Sequence, residues 1–370
     1  MSDGIAGDCR RRVAALRAEL EAEGLAGAVL SRPEHVFYMT GCRVGPAPAF
    51  LVVSSPTLLA VASAPVGECD TITYTDYDIF HGWSVVANAQ AALAEALAAA
   101  GLPDGSAVGL ELGHLPIAFT STVMDFVGEP QEIGGLLERL RRIKDAGEIA
   151  QIEANLAAND RAFGAVRAML APGVTELDVW AAVYATMCDA AGEPIVLEAD
   201  VGAGTRTDNP DVNPGHARIE PGDHVLVDVY AASHGYYADT TRNFVVGEPS
   251  ARQREIHTIL EEALAAGEAK LAPGARACDV DAAVRGTIER AGYGARFPHH
   301  TGHAYGLFQQ EHPYLIPAET MALEPGMIVT IEPGIYVPGW GGMRLEASYA
   351  ITGTRARRLD RYPLELIRIE

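Results

Sequence analysis

Hydrophobic and polar residues recur along the first third of the chain with the periods of both helices and strands. Val13, Leu16 and Leu20 are spaced as on one face of a helix, which predicts an amphipathic helix over 10–23 that Gly24 ends. Short apolar runs between turn residues predict strands, and an alanine-rich run predicts a further helix. The strands are 26–30, 50–53, 58–61 and 107–110, and the helix is 89–100. This alternation favours an α/β domain.

A pair of glycines, Gly134-Gly135, interrupts this pattern, and we place the domain boundary there, between domains of 1–134 and 135–370. The second domain begins with helical patterns and becomes strand-rich beyond residue 195, around an inserted helical hairpin. Its predicted helices are 148–170, 176–191, 251–270 and 278–291. We therefore expect an α+β fold here, with helices packed on a sheet.

The formal net charge of the chain is -21, with 48% hydrophobic residues. Nucleic acid and anionic membrane surfaces both attract Lys and Arg, so the acidic balance argues against either partner. No apolar run approaches the ~20 residues that span a membrane, and the first residues lack the pattern of a secretory signal. Five scattered cysteines without a Cys-x-x-Cys motif favour a reducing compartment, and we expect a cytoplasmic protein.

Two aspartates occupy positions where a charge is costly. Asp228 interrupts the apolar run 225–230, and Asp239 follows a turn-like segment, 231–235. If the chain folds back symmetrically about Ser233-His234, the two aspartates lie directly opposite each other on antiparallel strands, ~5 Å apart. Facing carboxylates are stable mainly when they share a proton or a cation. The alternative is an aspartate in each of two turns, one capping the other.

Three later segments repeat this pattern. Three histidines crowd the loop 297–307, and glycines near the last, His303, suggest a ligand held by tight backbone; a polar loop with incidental histidines is the alternative. Glu332 is a single acid within the apolar strand 328–336. Arg344 and Glu346 are two residues apart, so they face the same side of a strand, where Arg344 could neutralise and orient Glu346. A buried structural Arg–Glu pair is the alternative.

Together these segments offer four carboxylates and one imidazole, each embedded in an apolar strand or a glycine loop. Four negative charges in one core require compensation, and two divalent cations would cancel them. Oxygen-rich ligation with one histidine suits Mn, Fe or Co, with Zn possible, and we expect Mn. Such a pair of ions can activate one water and polarise the bond that is cut. The predicted ligands are Asp228, Asp239, His303, Glu332 and Glu346.

The order of these residues resembles that of the pita-bread metallopeptidases, which include methionine aminopeptidase, aminopeptidase P and prolidase. The similar segments are Asp228 to Asp239, Asp239-Thr240-Thr241-Arg242, Thr301-Gly302-His303, Glu332 to Tyr336, and Gly342 to Glu346. Tyr38 to Gly41 resembles the creatinase-type N-terminal domain, so the likeness covers nearly the whole chain. It implies a creatinase-type α/β domain, then a pita-bread catalytic domain with a dinuclear metal site.

Two positions depart from the family. The peptidases carry a histidine seventeen residues before the first aspartate and another seven residues after the metal-binding histidine; here these positions hold Asp211 and Gln310. Gln310 can donate a hydrogen bond but cannot carry a proton. Asp211 adds negative charge, which favours a cationic or hydroxyl-bearing substrate group. His216 could replace a missing imidazole, or it could be an exposed loop residue.

The leading interpretation is a metal-dependent hydrolase that resembles Xaa-Pro dipeptidase and aminopeptidase P and cleaves a C–N bond of a small, amino-acid-like or dipeptide-like substrate. Glu332 would move the proton of the attacking water, and His299, which matches a third family histidine, would hold the substrate or the oxyanion with Gln310. A lyase or a specialised biosynthetic or catabolic enzyme on the same fold is the alternative, and a metal-free binding scaffold fits less well. The further candidates are Asp211 and Arg344 for catalysis, and His216 and Tyr305 for substrate binding.

The resemblance also implies a homodimer whose first domain contributes to the partner's active site. The candidate contact is the aromatic cluster Tyr74, Tyr77, Phe80 and Trp83, although these residues could equally belong to the core of their own domain. We expect light scattering at working concentration to give the mass of a dimer. A fully active monomer would contradict this prediction.

Overall fold

The computed structural model describes residues 3–62, 69–77 and 85–370, with side chains from residue 8 onwards. It divides into two compact units, Met1–Arg141 and Arg142–Glu370. Gly134, where we placed the domain boundary, is the first residue of a helix, and its N–H is capped by the Glu132 carboxylate at 2.6 Å. The chain therefore continues as helix through the glycine pair before the second unit begins.

The first unit is the predicted α/β domain. Its six-stranded sheet has the order β4-β3-β2-β1-β5-β6, in which β1 is antiparallel to β2 and parallel to β5. The strands are β1 (Ala28–Leu30), β2 (Phe50–Val53), β3 (Leu58–Val61), β4 (Asp70–Thr73), β5 (Ala107–Leu110) and β6 (Glu129–Glu132). The helices are α1 (Asp3–Ala22), α2 (Pro33–Thr40), α3 (Val85–Ala99), α4 (Ile117–Met124) and α5 (Gly134–Arg142).

The aromatic residues proposed as a dimer contact differ in their surroundings. Tyr74 is buried in the core of the first unit, and its hydroxyl donates to the Pro48 carbonyl. Tyr77 is 54% exposed. Phe80 and Trp83 lie outside the described residues. Tyr74 therefore belongs to its own core, whereas Tyr77 lies largely at the surface.

The second unit has the α+β arrangement that the sequence predicted. Its helices are α6 (Ala146–Met169), α7 (Glu176–Ala191), α8 (Ala251–Glu268) and α9 (Ala277–Arg290). Its strands are β7 (Val196–Ala203), β8 (His224–Ser233), β9 (Tyr236–Val246), β10 (Gly302–Ala304), β11 (Glu311–Leu315), β12 (Ile328–Ile331), β13 (Gly334–Val337), β14 (Gly341–Arg344), β15 (Ala347–Ile351), β16 (Ala356–Arg358) and β17 (Ile367–Ile369).

These elements form two helix-on-sheet layers. Helices α6 and α7 share one apolar core with the sheet β17-β9-β8-β7, and helices α8 and α9 share a second core with the sheet β11-β10-β12-β15-β16. Three of the four helices begin with a reciprocal capping box, which satisfies otherwise unpaired N–H groups of the first turn. The capping pairs are Asp145 with Glu148, Thr175 with Asp178, and Ser250 with Gln253.

The register of the β8–β9 hairpin differs from our prediction. The chain turns at His234-Gly235 rather than at Ser233-His234, because both of these residues have positive φ (50° and 85°), as a tight two-residue hairpin turn requires. Asp228 therefore pairs with Thr241, and Asp239 pairs with Tyr230. The two aspartates still share a face of the sheet, but they are diagonal neighbours rather than directly opposed.

The two sheets are joined by buried polar contacts of Arg242, a residue of β9 that has no solvent exposure. Its guanidinium donates to Asp360 at 2.6 Å, and to the Glu346 carbonyl at 2.6 Å. The Glu346 N–H in turn donates to the Thr241 carbonyl at 3.3 Å. These bonds hold the segment between β14 and β15 against β9.

All five cysteines are free thiols. Among the helices that the structure describes, none combines the length and the apolar character needed to cross a bilayer. The helices of the second unit instead bury one face against a sheet.

A buried histidine makes the stability of the second unit sensitive to acid. His257 donates through Nε2 to the Leu364 carbonyl at 2.8 Å, while Nδ1 is buried without a partner among the described residues. Burial lowers the pKa of His257 from 6.5 to about 4. As the pH falls below 6.5, His257 therefore becomes protonated in the unfolded chain but stays neutral in the folded chain until the pH approaches 4. Its contribution to the free energy of unfolding is complete above pH 6.5 and is lost as the pH falls towards 4.

We expect His257→Gln to weaken the pH dependence of unfolding between pH 6.5 and 4, by at most one proton, or about 1.4 kcal/mol per pH unit. Urea unfolding of chelator-treated protein at a series of pH values measures this effect. The control is His216→Gln, which changes an exposed histidine and should follow the unmodified protein. Equal pH dependence in all three proteins would contradict the prediction.

Candidate metal centre

All five predicted ligands line one cavity of about 120 Å³ in the second unit. Asp228 lies on β8 and Asp239 on β9, whereas His303 lies on β10 of the other sheet. Glu332 follows β12, and Glu346 follows β14. The cavity therefore lies between the two larger sheets and the two-stranded sheet β13-β14, which precedes Glu346. The hairpin register brings both aspartates to it on one face.

The histidine ring has a defined orientation. His303 Nδ1 lies 3.0 Å from the Ala304 carbonyl, which can only accept, so Nδ1 carries the proton and Nε2 is a free donor atom for a metal. Nε2 lies 3.6 Å from Asp239 Oδ2 and 3.6 Å from Glu332 Oε1. Asp239, His303 and Glu346 each place a ligand atom within 4.8 Å of the other two.

The carboxylates of the centre are buried, with exposures between 1% and 8%. Burial raises the pKa of Asp228 to about 6, although Arg344 opposes this shift. Burial and the neighbouring Asp228 raise the pKa of Asp239 well above its ordinary range, and burial together with Asp239 does the same for Glu346. Burial also raises the pKa of Glu332, but the nearby histidines outweigh it and lower this pKa to about 2.

These residues fit divalent cations. Asp228 Oδ1 and Glu332 Oε1 are buried and have no hydrogen-bond partner among the residues that the structure describes. An orphaned buried oxygen costs about 1–3 kcal/mol, and more when it is charged, unless something binds it. Cations at this cavity would compensate the carboxylates and satisfy both oxygens.

Arg344 does not have the role that we predicted for it. Its Nη2 donates to Asp228 at 2.5 Å and to Asp200 at 2.9 Å, whereas the Glu346 carboxylate accepts from the Thr241 hydroxyl at 2.9 Å. Asp200 pairs directly with Asp228 across β7 and β8, so one guanidinium bridges two facing aspartates. Arg344 therefore orients Asp228 rather than Glu346, because β14 ends at Arg344 and the strand alternation does not extend to Glu346.

His299 lines the cavity, but both of its ring nitrogens are engaged. Nδ1 donates to the His300 carbonyl at 2.7 Å, and Nε2 accepts from the Tyr336 hydroxyl at 3.0 Å. That hydroxyl also accepts from Arg344 Nη1 at 2.9 Å. Burial lowers the pKa of His299 to about 4. The ring is thus a neutral, fixed part of the cavity wall, without a free nitrogen for a substrate.

The other predicted residues fall into two groups. Asp211 and Gln310 are exposed and line the cavity. His216 is exposed in a loop and does not line the cavity. Tyr305 has no solvent exposure, and its hydroxyl donates to Ser348 at 2.9 Å, so it belongs to the interior rather than to the binding surface.

Five lining residues were not among our candidates: Asp200, Pro210, Tyr230, His300 and Gln309. Asp200 carried the same signal as Asp228, an acid within a strand, but the exposed first half of β7 obscured it. Tyr230 shares the strand face of Asp228 two residues away. His300 was visible in the histidine-rich loop, where no pattern distinguished it from its neighbours.

Comparison with known proteins identifies the family. The model of metallopeptidase family M24 matches residues 150–353, and that of the creatinase/prolidase N-terminal domain matches residues 12–143. The first match alone covers more than half of the chain. The chain therefore belongs to metallopeptidase family M24, which confirms the predicted family, its metal-dependent hydrolase class and its two-domain architecture.

Three relatives illustrate the similarity. The probable dipeptidase PepE of Mycobacterium bovis is 32% identical, over 96% of each chain. The uncharacterized peptidase YqhT of Bacillus subtilis is 36% identical over 62% of this chain, and the match spans 65% of that protein's length. The solved Xaa-Pro dipeptidase from Bacillus anthracis superposes with a TM-score of 0.85 at 29% identity, covering 97% of this chain and 99% of the other.

We expect Asp239→Ala to remove at least one of about two ions bound per chain, because it deletes a buried carboxylate beside His303 Nε2. Elemental analysis after reconstitution with Mn or Co and exhaustive dialysis measures the loss. Asp279→Ala is the matched control, since this half-buried aspartate pairs with Arg276 outside the cavity. Full retention of both ions by Asp239→Ala would refute the ligand assignment.

Proposed function

We propose that this protein is a metal-dependent hydrolase that cleaves a C–N bond of a small, amino-acid-like substrate. The observation that carries the proposal is the convergence of four buried carboxylates and one imidazole on a single cavity. Membership of family M24 and the names of the relatives, several of them dipeptidases, support the same reaction class.

Asp228, Asp239, His303, Glu332 and Glu346 would hold two divalent cations, with Mn as the first expectation for an oxygen-rich set. When bound, the ions would supply an acidified water and a Lewis acid for the bond that is cut. The protein groups around them contribute orientation and proton transfer. Arg344 keeps one oxygen of Asp228 engaged and leaves the other free towards the cavity.

Glu332 is the group that we propose to accept the proton of the attacking water. Its Oε1 has no hydrogen bond from the described residues. Its carboxyl stays ionised, because burial raises its pKa but the surrounding histidines lower it more, to about 2. Gln310, at the exposed side of the cavity, is the proposed donor to the oxyanion. Asp211 would contact a cationic or hydroxyl-bearing part of the substrate.

The two substituted positions favour a substrate other than a simple peptide. Asp211 and Gln310 both face the cavity, and His216, the possible replacement, lies outside it. No imidazole from these three positions can therefore support the scissile amide. General acid–base help of that kind contributes ~10²–10⁴ in rate. We propose that activity on Xaa-Pro dipeptides is weak, and the second candidate function is a non-peptidase reaction on the same fold, such as that of a lyase or a specialised biosynthetic or catabolic enzyme.

Two further properties belong to the proposal. The homodimer implied by the family resemblance remains a prediction, with exposed Tyr77 as its candidate contact. A cytoplasmic location also remains a prediction, and the five free thiols suit a reducing compartment.

We expect Asp211→His/Gln310→His to gain turnover of Xaa-Pro dipeptides over the unmodified protein by ~10²-fold or more, because it restores two protonatable groups beside the scissile amide. Steady-state rates with Mn- and Co-loaded enzyme measure this gain. A panel of small amides, some with a positive charge, tests the proposed substrate class with the same preparations.

The control is Glu220→His, which adds an imidazole at an exposed position outside the cavity and should gain nothing. Turnover of Xaa-Pro dipeptides by the unmodified protein near the enzyme median of ~10 per second would show that the substitutions do not disable peptidase chemistry. No turnover of any amide by the metal-loaded protein would instead favour the non-peptidase reaction.

A further inference from the structure

His300 occupies a position in the metal cavity for which the five-ligand set has no role. Its Nδ1 lies 3.1 Å from Glu332 Oε1. Its ring stands edge-on to the ring of His303, with centroids 5.3 Å apart and planes at 89°. Tyr314 packs on it at 5.9 Å, so the imidazole is held between two rings and directed at the centre.

The two facing atoms have no other partner. His300 Nδ1 and Glu332 Oε1 are both shielded from solvent, and apart from their mutual contact at 3.1 Å neither has a hydrogen bond to any described residue. Glu332 as a whole is 8% exposed. Two adjacent buried polar atoms of this kind are rare in folded proteins and call for a bound group that satisfies both.

The histidines of the cavity differ in how many of their ring nitrogens are engaged in hydrogen bonds. His299, His300 and Glu332 place ligand atoms within 4.8 Å of one another, but both nitrogens of His299 are used in hydrogen bonds. In His303, Nδ1 is used and Nε2 faces the ligand carboxylates. His300 is therefore the second ring, after His303, with a free nitrogen directed at Glu332.

The spacing suits a shared metal ion. Nitrogen and oxygen ligands lie about 2.0–2.2 Å from a first-row divalent ion, so two adjacent ligand atoms on one ion are about 3.0–3.4 Å apart, depending on the geometry. The 3.1 Å between His300 Nδ1 and Glu332 Oε1 falls in this range.

We propose that His300 is an additional metal ligand, which binds through Nδ1 to an ion that it shares with Glu332. The inference rests on the metal centre in the proposed function, but not on the reaction catalysed there. It gives the centre two imidazole ligands instead of one. Imidazole suits Zn, Fe and Ni better than Mn, so the second ring shifts the preference of this position towards the later metals.

The competing interpretation is a hydrogen bond from His300 to a metal-bound Glu332. In that arrangement His300 would orient Glu332 without touching the ion, and its removal would weaken all metals similarly. A directly bound imidazole instead contributes most to the affinity for Zn and Co, and its nitrogen couples magnetically to the bound ion. The two arrangements are therefore separable by selectivity and by spectroscopy.

The experiment compares the full-length protein with His300→Asn, with His303→Asn as a known-ligand reference and His312→Asn as an exposed control. Competition against a chromophoric chelator gives Zn, Co and Mn affinities without an activity assay. Pulsed EPR of the Mn-loaded proteins counts the nitrogen ligands. Circular dichroism and thermal unfolding verify that each variant is folded.

We expect two coupled nitrogens in the unmodified protein and in His312→Asn, and one in either of the other variants. We also expect His300→Asn to lose Zn and Co affinity by at least about tenfold more than Mn affinity. The difference between metals is the decisive quantity, because loss of an outer-sphere partner alone lowers the affinity for a metal about 10–100-fold. A single nitrogen in the unmodified protein, or equal losses for all metals, would overturn the proposal while leaving the five-ligand centre intact. Absence of metal binding by the folded, unmodified protein would overturn both.

Discussion

Four buried carboxylates line one cavity, and their mutual repulsion is the constraint that the surrounding side chains must offset. Within the cavity lining Arg344 is the one permanently charged cation, and it already bridges Asp228 and Asp200. A folded protein tolerates such a cluster when the carboxylates share protons or bound cations. The burial of Asp239 and Glu346, which raises the pKa of both, is thus inseparable from the capacity to hold ions.

The elements around the cavity are packed on two separate apolar cores rather than one. Each of the two larger sheets of the second unit carries its own helical pair. Asp228 and Asp239 project from within β8 and β9, whereas Glu332 and Glu346 follow the ends of β12 and β14. Arg242 and Thr241 on β9 fasten the segment that carries Glu346, through its carbonyl and its carboxylate. Glu346 is therefore held against β9 by hydrogen bonds to both its carbonyl and its carboxylate.

The sequence predicted much of this arrangement because the ligands violate local rules. An acid within an apolar strand, as at Asp228 and Glu332, is conspicuous in a single sequence. The eleven-residue step to Asp239 placed both aspartates on one face, but the register was wrong by two residues. The turn is centred on His234-Gly235, and both residues have positive φ, which the symmetric fold-back about Ser233-His234 did not take into account.

Side-chain partnerships were harder to predict than positions. Arg344 is bonded to Asp200, which is distant in sequence, rather than to Glu346 two residues away. The tautomer and hydrogen bonds of His299 depend on Tyr336, and the inward direction of Tyr305 depends on Ser348. Each of these side chains has several polar residues that could be its hydrogen-bond partner. Three-dimensional packing selects the partner, and no periodicity in the sequence distinguishes the alternatives.

The tight turn at His234-Gly235 has an evolutionary consequence. Because successive residues of a strand face opposite sides, a single residue inserted or deleted within either strand, between an aspartate and the turn, would send that carboxylate to the helix-covered side of the sheet. A compensating β-bulge, or a second change in the same strand, would preserve the centre. A residue added in the turn itself only lengthens the hairpin loop and leaves both carboxylates in place. We therefore expect relatives that keep the metal centre to vary in length at this turn rather than within the strands.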